Sequence, residues 1–239
     1  MTIPRLSRLA RTLGRLLAPR ALLRYDFAYL DRLARARLAA VESRLLADLD
    51  VVVLDTETTG LRPGAGDRLV SLGAVRVRGG AVRHDEVFDR LVHPGRAIPS
   101  AATGIHGITD AMVAGAASPE TVLPAFLAFA GDCVLAAHDA WFDLSFLEPE
   151  LARLGLPSLA EGHPVLDTRL LAQVAHGHVA SDLDALARRL GVTIEGRHSA
   201  VGDALGAAEV LSGLLPVLRG RGIVTLGAAL EASRRLRPS

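Results

Sequence analysis

Two acidic residues spaced i, i+2 close an aliphatic run in Val51-Val52-Val53-Leu54-Asp55-Thr56-Glu57-Thr58-Thr59-Gly60. On a strand this spacing sends both carboxylates to one face. Carboxylates that close repel, and one is driven to hold a proton unless a cation lies between them. Mg²⁺ or Mn²⁺ relieves the conflict, because hard ions prefer oxygen ligands. Two exposed acids at a strand edge would give the same pattern; the buried-strand character of the run before them favours a metal site.

Two further segments carry the same chemistry. In Ala136-Ala137-His138-Asp139-Ala140-Trp141-Phe142-Asp143 a strand ends and a helix starts near Asp139. Asp143 lies one turn inside and can point back toward the strand ends. Taken alone it is also an ordinary first-turn acid favoured by the helix dipole. Trp141 and Phe142 suit core packing or a wall on which a base stacks. In Gly196-Arg197-His198-Ser199-Ala200-Val201-Gly202-Asp203, His198 and Asp203 are five apart and do not share a face of one helix. With His198 in the loop before the helix, both reach one point. Asp203 stands among Ala200, Val201, Ala204 and Ala207, an apolar setting in which an acid needs a partner. Asp55, Glu57, Asp143 and Asp203 together supply ligands for two ions about 4 Å apart. His198 is the group whose ordinary pKa lets it take a proton near neutral pH.

Positioning these residues requires strands that end at one edge and helices that begin there. Val51–Leu54 reads as a buried strand, and 68–77 and 81–92 as two more, joined by the hairpin signal Gly79-Gly80. Residues 119–130 read as a helix with Ser118 as N-cap and Pro119 at its first position. A short strand over 132–137 follows, then helices at about 140–154, 168–176, 182–190 and 200–218. Strands first, then strand–helix alternation, predict a mixed α/β sheet with helices on its faces.

The set Asp55-x-Glu57, Asp143, His198 and Asp203 resembles the DEDDh class of 3′–5′ exonucleases, above all the exonuclease (epsilon) subunits of bacterial DNA polymerase III. Leu54-Asp55-Thr56-Glu57-Thr58-Thr59-Gly60-Leu61 matches the first motif of that group, Thr103-Gly104-Ile105-His106-Gly107-Ile108-Thr109 looks like a second signature, and Asp167-Thr168 like a third. The likeness covers residues 49–218, about 70% of the chain. It implies an RNase H-like fold with a mixed five-stranded sheet flanked by helices. It implies two Mg²⁺ or Mn²⁺ ions on Asp55, Glu57, Asp143 and Asp203, with His198 deprotonating the attacking water. Nucleoside 5′-monophosphates would leave a nucleic acid with a free 3′ end, DNA favoured, in proofreading or repair. Thr58, Thr59 and Leu61 would contact the terminal nucleotide, Leu61 as a wedge against a base, with His106 and Phe142 lining the same pocket. RNA-trimming relatives share the fold, and the 2′-hydroxyl is recognised by pocket shape. The family's His-Asn-Ala is His138-Asp139-Ala140 here; Asp139 either adds a charge beside the pocket or points away and caps the helix.

Outside that region, residues 1–47 carry ten Arg, six of them before the first acid, Asp26. Leu6, Leu9, Leu13, Leu16 and Leu17 recur at helical spacing between Arg5, Arg8, Arg11 and Arg15, an amphipathic basic helix. A second helix is expected over about 27–47. The division expected is a basic helical arm at 1–47, an exonuclease domain at 48–218, and a C-terminal helix with an Arg-rich tail at 219–239. The arm suits docking onto the domain or onto a polymerase or repair partner, then phosphate contact, then a membrane surface. A scaffold protein docked through the arm is the rival reading to an enzyme. The tail holds no Gln-rich clamp-binding peptide, so a stand-alone nuclease is as good a reading as a proofreading subunit.

All 27 basic residues are Arg and the net charge is +1, too even to argue nucleic-acid binding by itself. No apolar stretch of the roughly 20 residues that span a bilayer is read, and no signal peptide. The lone Cys133 sits in an apolar run and reads as buried; one cysteine fits a reducing, cytoplasmic setting.

Overall fold

The computed structural model describes residues 40–177 and 182–236. Strand β1 (Asp50–Thr58) is buried on both faces along its aliphatic stretch. Val51 and Val53 belong to one core and Val52 and Leu54 to another. A continuous apolar run is what a strand covered on both faces needs. Strand β2 (Leu69–Arg78) pairs antiparallel with β1, and β3 (Ala81–Leu91) returns antiparallel along β2. Gly79 and Gly80 make the turn at φ 58° and 77°, backbone that a tight hairpin demands and side chains resist. Strands β4 (Val134–Ala137) and β5 (Val165–Asp167) add in parallel on the other side of β1, giving the order β3-β2-β1-β4-β5. The mixed five-stranded sheet is therefore present. β5 is too short, at three residues, to show a period in the sequence.

Helices cover both faces. Ser100–His106 (α1) and Asp110–Val113 (α2) are short. Pro119–Ala130 (α3) and Ala140–Arg153 (α4) pack Leu123, Phe126, Leu144 and Leu147 onto the Val52–Leu54 face. Leu159–Gly162 (α5) leads into β5. Thr168–His176 (α6), Leu183–Leu190 (α7) and Ala200–Gly220 (α8) cover the Val51–Val53 face. Helix α8 is long enough and, at a mean hydropathy of 1.5, apolar enough to cross a membrane, a stretch the sequence reading did not find. Its position explains its composition: it lies across β1 and β2 and against α6 and α7, so most of its sides meet protein. Ser118 caps α3 by backbone geometry alone; its hydroxyl goes to the Glu120 carboxylate. Cys133 is half-buried rather than buried, its Sγ taking an Arg76 N–H at 2.9 Å.

The expected basic helix carried by Leu6 to Leu17 lies outside the described residues. Of the second helix, expected over about 27–47, residues 27–39 also lie outside the described residues; residues 40–42 are helical and the helix ends there, short of 47. The chain turns there because residues 44–46 pair with the segment after α8: the Leu46 amide donates to Val224 O at 2.9 Å and that of Leu226 to Arg44 O at 3.0 Å. Leu46 and Leu49 then enter the same core as Leu226 and Ala229 of helix α9 (Leu226–Arg234). The end of the arm and the start of the tail thus close over one sheet face together.

Candidate active site

The site grows from the unequal lengths of neighbouring strands. β4 pairs with β1 only through Val53, opposite Ala136, whereas β2 stays paired to the far end of β1. Beyond Val53 the β1 edge is open on the β4 side, where α4 begins. Asp143, on the first turn of α4, closes that gap: its Oδ1 accepts from the Thr56 hydroxyl at 2.7 Å, and the Thr56 backbone N–H also donates to its carboxylate. On the other face, Asp55 stands opposite Gly73 of β2. A Cβ at Gly73 would overlap the Ala200–Val201 peptide, so only glycine lets the α8 N-terminus press onto the sheet here. That approach brings Asp203 to β1. Ligand atoms of Asp55, Glu57 and Asp203 all lie within 4.8 Å of one another. Asp143 is not in that close group of three, but it is near enough to Asp55 to act on it electrostatically.

Burial and mutual repulsion act together on these acids, and the Arg197 guanidinium offsets them only in part. Burial, then Asp143, Asp203 and Glu57, hold the Asp55 carboxyl well above the ordinary carboxylate range. Glu57 is pushed up to about 7, by burial first and Asp203 second. Asp143 is pushed up to about 8 by burial, against the pull of its Thr56 hydrogen bonds. Asp203 is 7% exposed, and its Oδ1 is buried without a hydrogen-bond partner. A buried carboxylate with one oxygen unpartnered, clustered with two more carboxylates, suits a divalent, oxygen-preferring cation, so the donor set fits the ions expected from the sequence.

His198 lies in the loop before α8, as the reading of that segment required, and is exposed. Its backbone is left-handed at φ 60°, and its amide reaches Asp203 Oδ2 at 3.3 Å. Asp139 is the other non-glycine residue at positive φ among the described residues, at 66°. Two such residues beside one acidic cluster mark a place where the fold holds backbone in an unfavourable region. The Asp139 side chain does not cap α4; it pairs with Arg169 at 3.1 Å. The capping falls instead to buried Asp167, which accepts from Ala140 N at 3.1 Å and from Arg169 N and Leu170 N. Asp167 thereby joins the starts of α4 and α6, and with them the height of Asp143. Thr168 supports the same turn through His138 Nδ1 at 2.9 Å.

The expected nucleotide-contacting residues divide. Leu61 is 75% exposed and Trp141 is 54% exposed, so both present apolar surface to solvent. Phe142 is half-buried against Phe146, ring centroids 5.2 Å apart. Thr58 and Thr59 are buried, and their hydroxyls are used inside the turn, on Gly60 O at 2.6 Å and with Asp67 and the Arg68 amide. They shape the loop that presents Leu61. His106 joins α1 to the site strand: its Nε2 meets Thr58 O at 3.2 Å and its Nδ1 accepts from Ile108 N at 3.0 Å, with burial lowering its pKa. Sequence reasoning missed Thr56, Gly73, Asp184 and Arg197. Thr56 and Arg197 stand directly beside quoted motif acids or the histidine, a signal present in the sequence; Gly73 and Asp184 carry none.

Fold and acidic cluster together define an RNase H-like nuclease architecture. An exonuclease family model (RNase_T, Exonuclease) matches residues 52–211, and the chain belongs to that family. It is 47% identical over 214 residues, 88% of its length, to a DNA polymerase III subunit epsilon-like protein of Rhodobacter capsulatus, of which it covers 30%. It is 36% identical over 165 residues, 69% of its length, to a PolC-type DNA polymerase III of Clostridium perfringens, of which it covers 11%. The chain thus spans about a third or less of these relatives' length. Exonuclease X in complex with 5′ overhanging duplex DNA matches with a TM-score of 0.59 at 25% identity, over 77% of this chain and 99% of that one. E. coli Exonuclease I in complex with a dT13 oligonucleotide shares the fold, TM-score 0.63 at 16% identity, over 73% of this chain and 43% of that one.

Proposed function

We propose that this chain is a metal-dependent 3′–5′ exonuclease that removes nucleoside 5′-monophosphates from single-stranded or frayed DNA. The observation that carries the reading is the convergence of Asp55, Glu57 and Asp203 within 4.8 Å, with a buried Asp203 oxygen left without a partner. Asp55, Glu57, Asp143 and Asp203 would hold two Mg²⁺ or Mn²⁺ ions. Bound there, the ions neutralise the acids and stabilise the charge that builds at the phosphate under attack. His198 takes the proton of the attacking water as oxygen bonds to phosphorus and the bond to the 3′-oxygen breaks. Its exposure leaves it open to the solvent that must carry the proton away. Thr56 holds Asp143 in place, and Asp167 holds the turn before it. Leu61 and Trp141 are the apolar surfaces for terminal bases.

DNA is favoured over RNA because the two solved relatives described above carry DNA. Docking onto a polymerase or repair complex falls to the segment 1–47. A 5′-labelled oligonucleotide, offered as DNA and as RNA of equal length, tests the reading with Mg²⁺, Mn²⁺ or EDTA. A ladder shortening from the 3′ end, lost in EDTA and in Asp203→Asn, is expected. A ladder that persists in EDTA or in that variant overturns it.

A further inference from the structure

Arg197 stands in the same turn as His198 and is bound on two sides. Its Nε and Nη2 donate to the two carboxylate oxygens of Asp184, on the first turn of α7, at 2.8 and 3.2 Å. Its Nη1 donates to Asp203 Oδ2 at 2.5 Å. The Arg197 side chain is 28% exposed, and its guanidinium is the cation that acts on both Asp55 and Glu57. The loop can lie this low because Gly202 has no side chain; a Cβ there would overlap the Gly196 carbonyl.

The two oxygens of Asp203 are therefore divided. Oδ2 is taken by Arg197 and by the His198 amide at 3.3 Å, while Oδ1 remains buried and unpartnered. A carboxylate held by one oxygen has lost its free rotation, and the remaining oxygen is aimed. The fork to Asp184 fixes the guanidinium, which a flexible ammonium would not match.

Resting on the exonuclease reading, we propose that Arg197, clamped by Asp184, is a positioning residue with two effects: it aims Asp203 Oδ1 and the His198 loop at the metal site, and it is the resident positive charge that lets the acids share that site before any ion binds. The first effect favours turnover. The second opposes metal binding, because a positive charge already faces the incoming cation. Loss of the charge therefore moves the two properties in opposite directions, whereas a merely structural role would weaken both.

The test uses the full chain, with Mn²⁺ titrated calorimetrically in the absence of nucleic acid, alongside turnover on single-stranded DNA. Arg197→Gln should bind Mn²⁺ about tenfold tighter, the scale of removing one charge close to a divalent ion in a partly buried site, and melt lower without metal, with Mn²⁺ closing the gap. Its turnover should fall about a hundredfold, the scale of a misplaced catalytic group. Arg197→Lys keeps the charge but not the fork, so Mn²⁺ affinity should be no higher than that of the unaltered chain while kcat still falls and KM holds. Asp184→Asn should behave like the Lys variant. Mn²⁺ affinity that is unchanged or weaker in Arg197→Gln, or full turnover in Arg197→Lys, overturns the proposal and leaves the nuclease reading standing. An unaltered chain that binds no Mn²⁺ overturns both.

Discussion

Glu57→Gln should make the metal-free protein more stable at alkaline pH while abolishing cleavage. In the folded chain the Glu57 carboxyl is pushed from 4.5 to about 7, because it is buried and faces Asp203. The folded state thus binds this proton more tightly than the unfolded state. Its contribution is most favourable below about pH 4.5 and is lost as pH rises through about 7. At 1.36 kcal/mol per pH unit the full loss is roughly 3 kcal/mol. Water reaches part of the side chain, which brings it to about 2 kcal/mol. Gln keeps the shape without the charge and escapes that loss. For a chain of this size, about 2 kcal/mol corresponds to a melting shift of roughly 4–8 °C. Thermal denaturation in EDTA at about pH 8.5 should place the Gln variant higher by that amount, and at about pH 4, below the unfolded-state value, the two should coincide. Millimolar Mg²⁺ should raise the unaltered chain more than the variant, since bound cation removes the same repulsion. A Gln variant no more stable at pH 8.5, or equally stabilised at both pH values, would refute the repulsion argument.

Three other outcomes are expected. His198→Ala should lose roughly 10²- to 10⁴-fold in single-turnover rate while Mn²⁺ affinity holds; an unchanged rate removes it as the base. Gly73→Ala should force α8 off β2, costing about 1–3 kcal/mol and weakening Mn²⁺ binding as Asp203 moves from Asp55, measured by melting and calorimetry; unchanged values in both count against the close approach. Thr56→Val removes the hydroxyl donor to a buried carboxylate at a cost of about 1–3 kcal/mol, felt above about pH 8, where Asp143 loses its proton. The deficit, followed by melting across pH, should vanish near pH 5, and a pH-independent deficit would point to packing alone.

The neighbours of these residues explain the uneven legibility of the chain. β1, the hairpin through Gly79-Gly80, and the helices at 119–130 and 168–176 were readable because period, caps and turn residues are local properties of the chain. Helices α2 and α5, at four residues each, and β5, at three, are too short for a period to register.

The sequence by itself determined which carboxylates and which histidine are present, and that Asp55 and Glu57 share a strand face, since alternation along a strand follows from backbone geometry alone. Only the tertiary structure decided that Asp203 meets them, because that depends on a missing Cβ at Gly73, 130 positions away along the chain. It also decided that Thr58 and Thr59 turn inward and that Arg197 grips Asp184 and Asp203, because a side chain's partners are set by the elements packed against it, which no local pattern records.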